Sequence, residues 1–240
     1  IGPRLNASGR LHDNRPAFEL LVTRDPDQAA GLAEVIEANN RERQALVEKV
    51  MADAEEQLFR QNSISDRCLV VVGRDWPAGV LGLVAGKFAN KHLRPTIVLS
   101  EHGGQLSGSS RSSGDYSIIE GLDSQQALLS RYGGHRQAAG LGLAKGNLSK
   151  FVDGIKAHAT ERISAADLVP SYIADGFLET TEASLDTAEL ISKMGPFGQE
   201  NATPLLIWRG VTLGPPRLIG ASGDHCKWSI AGGGGNIDVI

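Results

Sequence analysis

Cysteine is nearly absent from this chain: Cys68 and Cys226 are the only two in 240 residues. Two thiols so far apart make neither a disulfide framework nor a zinc-binding pattern, and each is expected as a buried thiol in a reducing compartment. No apolar run approaches the about eighteen residues that a membrane-spanning helix needs. No leader-like segment opens the sequence. A cytoplasmic chain with no membrane partner is therefore expected. Carboxylates and histidines are not clustered either. The only Asp-x-Asp is Asp25-Pro26-Asp27, which reads as a helix cap and not as a metal site.

What is present is the composition of an ordinary soluble globular chain, 41% hydrophobic and 22% charged, with room for one large or two small domains. The formal net charge is −4, but its distribution matters more than its sum. From Asp25 to Gln61 nine acidic side chains face four basic ones; from Arg74 to Arg136 seven basic face five acidic. An acidic helix beside a modestly basic middle is compatible with a polyanion in one cleft and does not demand one. The chain opens on Ile1 instead of Met and ends in a strand-like run at Ile240, as expected of a fragment.

Three blocks follow from periodicity. Residues 26–62 predict one long helix, with Ala29, Leu32, Ala33, Ile36, Leu46, Val47, Val50, Ala54 and Leu58 at three- and four-residue steps. Its stripe thins at Asn39, Asn40, Arg41 and Arg43, a turn that is either exposed or directed to a polar groove. The helix is either an interdomain connector or an amphipathic helix of a single domain. The second block, about 66–165, alternates strand and helix signals: strands at 68–73, 96–100 and 138–144, helices at 78–90, 117–132 and 147–163, and a Gly/Ser-rich polar stretch at 105–113. That alternation indicates an α/β domain. The third block has a short helix ending at Met194, a loop at Gly195-Pro196-Phe197-Gly198-Gln199, and short strand-like runs at 205–208, 211–213, 217–219 and 226–230. Gly232 to Gly235 reads as a hairpin tip. Such runs suggest a small β-barrel, in which Trp208 and Trp228 are either core or stacking platforms.

The densest chemistry lies at Gly133-Gly134-His135-Arg136-Gln137-Ala138-Ala139-Gly140. Here a glycine turn is expected to bring backbone close to a ligand, with a guanidinium that can fork onto phosphate oxygens and an imidazole able to donate near neutral pH. The alternative is a solvated turn before a buried strand.

Four motifs, in order, resemble one family. They are Gly2-Pro3-Arg4-Leu5-Asn6-Ala7-Ser8-Gly9-Arg10; Trp76-Pro77-Ala78-Gly79-Val80-Leu81-Gly82-Leu83-Val84-Ala85; Ser107-Gly108-Ser109-Ser110-Arg111-Ser112 with Gly133-Gly134-His135 and Ala138-Ala139-Gly140; and Gly195-Pro196-Phe197-Gly198-Gln199 with Pro204-Leu205-Leu206. Together they resemble the C-terminal part of the RecJ-like single-strand-specific 5′→3′ DNA exonucleases of the DHH phosphoesterase superfamily. The resemblance implies an α/β DHH-associated domain preceded by a long connector helix and followed by a small β-barrel (OB-fold). Residues 1–25 would be the tail end of a missing DHH catalytic domain, 26–62 the connector helix, 63–165 the DHH-associated domain and 166–240 the truncated OB-fold.

In such enzymes the DHH domain binds two Mn²⁺ or Mg²⁺ ions, which would activate water and neutralise the leaving phosphate. The chain has no Asp-His-His triplet, so no metal ligand is assigned within it and it is expected to be inert alone. Its implied partners are single-stranded DNA and the missing DHH domain.

The resemblance assigns His135 the catalytic role of stabilising charge on the scissile phosphate. Arg111, with Ser109 and Ser110, is the expected phosphate clamp. Gly133 and Gly134 would let His135 approach, and Arg10 and Asn6 would lie on the DHH side of the cleft. Arg136 and Arg74 are further expected phosphate contacts, although a surface ion pair explains either. One departure stands out. Pro77 occupies a position where many family members carry His, so no side-chain hydrogen bond is made from it. Two other readings stay open: a non-enzymatic single-strand-binding module, or part of a DHH-family phosphodiesterase acting on oligonucleotides or cyclic dinucleotides.

Overall fold

The computed structural model describes residues 1–198, 200–220, 223, 225–232 and 235–240. They form two compact units, Ile1–Pro170 and Ser171–Ile240.

The first unit opens with α1 (Gly2–Leu11), α2 (Arg15–Val22) and the 35-residue α3 (Pro26–Arg60). The expected cap is present: the Asp25 carboxylate accepts from the backbone N–H of Asp27 at 2.9 Å and of Gln28 at 3.4 Å, satisfying two of the first-turn donors. The polar middle of α3 is divided: Arg41 is exposed, but the asparagines turn inward. Asn40 is buried, and Asn39 donates to Oγ of Ser8 at 3.1 Å, because α1 packs here.

A five-stranded sheet follows, built from β1 (Leu69–Arg74), β2 (Thr96–His102), β3 (Gln105–Arg111), β4 (Leu129–His135) and β5 (Ala138–Ala144) in the order β1-β2-β3-β5-β4. β1 and β2 are parallel, joined by α4 (Ala78–His92), and the remaining pairs are antiparallel. α5 (Ile118–Asp123) and α6 (Leu148–Arg162) complete the unit.

Side chains alternate between the two faces of the sheet. Val70, Ile97, Leu99, Leu106, Leu141 and Leu143 form one core with Ile118, Phe151 and Ile155 from α5 and α6. Leu69, Val71 and Val98 form a second core with α3 and α4. Cys68 is buried at the start of β1, and burial pushes its thiol up to about 12, making it unreactive. The outer edge of β1 is capped at Val72. The Gln57 side-chain amide of α3 both accepts from the Val72 N–H (2.8 Å) and donates to the Val72 carbonyl (3.1 Å), the two bonds an additional strand would otherwise make.

Three sequence expectations are corrected here. The Gly/Ser-rich stretch is a central strand, β3, because flanking strands hold it by backbone pairing although it has little apolar content. The helix expected over 117–132 stops at Asp123 and the chain re-enters the sheet as β4. The Gly-Gly-His triplet is therefore strand and not turn: His135 pairs with Ala138, leaving Arg136 and Gln137 as the hairpin tip.

In the second unit, β6 (Gly176–Leu178) pairs parallel with β7 (Leu206–Trp208), with α7 (Leu185–Ser192) between them in sequence. β8 (Arg217–Ile219), β9 (His225–Gly232) and β10 (Gly235–Val239) form an antiparallel meander. Residues 211–213, expected as a strand, join no sheet. Asn201, just after the 195–199 loop, donates to the carbonyls of Met194 (3.2 Å) and Pro196 (2.9 Å). Gln199 and the two glycines of the expected hairpin tip, 233 and 234, lie outside the described residues.

Candidate functional site

α3 and α4 cover the sheet face only as far as β3. Beyond it the same face carries small and polar residues, set out in register. Ser107 lies opposite Gly142, which lies opposite Arg131; Ser109 opposite Gly140, which lies opposite Gly133; Arg111 opposite Ala138, which lies opposite His135. Directly opposed residues share a face, so Arg111, Ser109, Gly133 and His135 lie on one face of the sheet. A cleft of about 380 Å³ opens beside Ser109 and Gly133, lined by Ala78 and Leu81 of α4 and by Ser107, Ser109, Arg131, Gly133 and Gly140; Arg111 and His135 do not line it.

Arg111 is half-buried beneath α4, and its guanidinium donates to Oγ of Ser109 (3.1 Å) and the Ser110 carbonyl (2.8 Å). Burial, and then the neighbouring Arg10 guanidinium, lower its pKa. Arg10 reaches over from α1 and donates to the Gly79 carbonyl at 3.3 Å. Neither arginine has a carboxylate partner among the described residues. Arg10 and Arg111 meet α4 one turn apart, at Gly79 and at Gly82, so two cations without carboxylate partners flank the same stretch of helix. α1 can come this close to α4 because position 79 is glycine: a Cβ there would collide with the Arg10 carbonyl oxygen.

The other expected residues are placed differently. Ser110 is buried on the opposite face, where its hydroxyl donates to the Ala139 carbonyl at 3.0 Å; strand alternation removes it from the cleft. Gly134 is required by the hairpin itself, since a Cβ would meet the Ala138 carbonyl and lie 2.5 Å from Cα of Ala139. Gly133 has no such internal reason: nothing lies within 4 Å of the Cβ it lacks. Arg136 binds the Asp115 backbone carbonyl and stands 3.9 Å from its carboxylate, so it holds the 113–117 loop. Arg74 is exposed on β1, opposite Glu101 and at the far end of the sheet from Arg111. Asn6 is exposed on α1. Pro77 precedes α4 as its N-cap residue.

Arg131 was missed by the sequence reading. Its signal was the Arg131-Tyr132-Gly133-Gly134-His135 alternation, concealed once the segment was read as helix. In the second unit Trp208 is half-buried, its indole N–H donating to Oγ1 of Thr180 at 3.2 Å. Arg209 lies over the Phe177 ring at 3.7 Å. Trp228 is half-buried as well.

The residues at the cleft do not fit a divalent cation. The groups converging there are guanidinium, hydroxyl and a single imidazole, and no cluster of three or more His, Cys, Asp or Glu occurs among the described residues. Hard cations take oxygen donors, largely carboxylates. None of the described helices is long and apolar enough to cross a membrane.

Comparison with known proteins agrees with this architecture. Residues 65–161 match the DHHA1 domain family and residues 174–240 the RecJ OB domain family. The single-stranded-DNA-specific exonuclease RecJ of Bacillus subtilis is 30% identical over 242 residues, spanning all of this chain and 31% of that protein. The Salmonella typhimurium enzyme of the same name is 32% identical over 256 residues, 100% of this chain and 43% of its own. The chain thus spans less than half the length of these relatives. Among solved structures, RecJ from Thermus thermophilus in complex with Mn²⁺ superposes with a TM-score of 0.80 at 27% identity, over 99% of this chain and 34% of that one. A Mg²⁺ complex from the same organism gives 0.75. With both domains in order and similarity along its whole length, the chain belongs to the RecJ family as its DHHA1–OB portion.

Proposed function

We propose that this chain is the substrate-holding part of a cytoplasmic RecJ-like 5′→3′ single-stranded-DNA exonuclease, in which the hydrolytic metals are Mn²⁺ or Mg²⁺ held by a separate DHH domain. The observation that carries the reading is that Arg10 and Arg111 meet α4 one turn apart, at Gly79 and Gly82, without a carboxylate partner among the described residues and beside a sheet face of serine and glycine. A phosphodiester satisfies that arrangement. Arg111 would fork onto the phosphate, with Ser109 Oγ holding its guanidinium in place. Gly133 and Gly140 would keep the floor low enough for the strand to settle. His135, exposed at the end of β4 in the Arg111 row, would donate to the scissile phosphate as charge develops on it. The similarity to RecJ exonucleases, and the Mn²⁺ and Mg²⁺ held by the Thermus thermophilus RecJ structures, support the same reading.

The test is nuclease activity with Mn²⁺ on 5′-labelled single-stranded DNA, comparing this chain with a protein extended through an N-terminal DHH domain. Activity confined to the extended protein, together with salt-sensitive single-strand binding by this chain, is expected. The log–log salt slope of binding should be about −0.7 per phosphate contacted. Activity in this chain alone would overturn the division of labour, and salt-independent or absent binding would overturn the substrate-holding role.

A further inference from the structure

Resting on that reading, we infer that Arg131 is a second phosphate-positioning residue, holding a different phosphate of the same strand from the one at Arg111. Three observations converge on it. First, the pairing of β4 with β5 shifts register between Leu129 and Arg131. Without that bulge the two residues, two apart, would share a face. With it Leu129 packs against the α5–α6 core, while Arg131 joins Gly133 and His135 on the cleft side. Bulges recur next to functional sites because they re-aim one side chain without ending the sheet.

Second, the Arg131 side chain lies flat along the sheet. Its Cγ and Nε are each 3.1 Å from where a Cβ of Gly142 would stand, so the glycine in the neighbouring strand is the space the stem occupies. A merely solvating arginine needs no such trough. Third, Arg131 has no ion-pair or side-chain hydrogen-bond partner among the described residues, yet it lines the cleft with Ser107, Ser109 and Gly140.

Its spacing says which part of the ligand it meets. Arg111 and Arg131 sit at diagonally opposite corners of a three-strand, five-residue patch. With strands about 4.8 Å apart and a rise of about 3.4 Å per residue, their Cα atoms are roughly 16 Å apart. Arg111 is anchored on Ser109 and the Ser110 carbonyl while Arg131 lies along Gly142, so each guanidinium is placed to take its own phosphate of a strand laid diagonally over Gly133 and Gly140.

The test is fluorescence anisotropy with this chain and 5′-phosphorylated oligothymidylates of two and eight nucleotides, using Arg131→Ala, Arg131→Lys and Arg111→Ala. Arg131→Ala should weaken the eight-mer about tenfold and reduce its log–log salt slope by about 0.7, leaving the two-mer and the thermal midpoint unchanged. Arg131→Lys should restore the salt slope. Arg111→Ala should weaken both lengths. Equal loss on both lengths, or none on the eight-mer, would overturn the assignment of Arg131. Should Arg111→Ala also leave both unaffected, it is the substrate-holding reading that falls.

Discussion

The Cβ that Gly82 lacks would stand 3.0 Å from Nη2 of Arg111 and 3.1 Å from Oγ of Ser109. α4 therefore presses on the clamp through a position with no side chain, and Gly82→Ala separates fold from function. Within a helix, alanine is favoured over glycine by about 1 kcal/mol, which offsets the tight contact. The guanidinium and the serine must still give way. A thermal midpoint at or above that of the parent, with single-strand affinity reduced about fivefold by loss of part of one charge-assisted hydrogen bond, is the expected pair of results. Unchanged affinity would show that Arg111 does not touch the strand.

Adjacent serines should behave in opposite ways. Ser109→Ala removes the acceptor that holds Arg111 (3.1 Å), so binding weakens while stability barely moves. Ser110→Ala removes a buried hydroxyl bonded to the Ala139 carbonyl, costing about 1 kcal/mol of stability with affinity intact. Chemical denaturation and a DNA titration of both variants decide the matter. A Ser110→Ala protein of normal stability and weak binding would return that hydroxyl to the cleft.

The neighbouring glycines separate likewise. Alanine at 134 drives a methyl into the β4–β5 hairpin backbone, and a loss of more than about 2 kcal/mol is expected, in the range of severe core lesions. Alanine at 133 meets nothing inside the protein; the thermal midpoint should hold while oligonucleotide affinity drops, because the methyl rises from the cleft floor. If Gly133→Ala binds as the parent does, the strand does not run over that floor.

How much of this was legible depended on whether local pattern or long-range pairing set the structure. α3, α4, β1 and β2 carry their own periodicity and caps, and appear where the sequence put them. β3 does not: Ser107, Ser109 and Ser110 have no strand preference of their own, and the segment is a strand because β2 and β5 flank it. β4 was hidden by Leu128 and Leu129 continuing the apolar spacing of α5, and with it went the face shared by Arg131, Gly133 and His135. The same loss explains Ser110. Once β3 is read as a strand, alternation alone separates it from Ser109 and Arg111. Nothing in the linear order joins Arg10 to Arg111, since that neighbourhood depends on α1 docking at Gly79.

Acid sensitivity should come from two histidines remote from the cleft. His158 accepts or donates a hydrogen bond with the Tyr116 hydroxyl at 2.9 Å. Burial, then Arg162, lower its pKa, against smaller opposing effects of Glu161 and Glu120. His92 stacks on Phe88 at 5.6 Å, with Nε2 buried and unbonded; burial, Lys91 and Arg94 lower its pKa against Glu55. In both cases the unfolded chain holds the proton more tightly than the folded one. Their contribution to stability is therefore complete above the ordinary histidine value of about 6.5 and is lost as pH falls below it toward the depressed folded values. Carboxylates held low, Glu37 first by Arg4 and Asp167 by Ser164, lose their contribution only below about pH 4.5. Thermal midpoints between about pH 7.5 and 5.5 thus isolate the histidines. The parent should lose stability across that interval, and a His92→Gln, His158→Gln double variant should lose much less. An equally steep decline in the double variant would place the proton uptake on other groups.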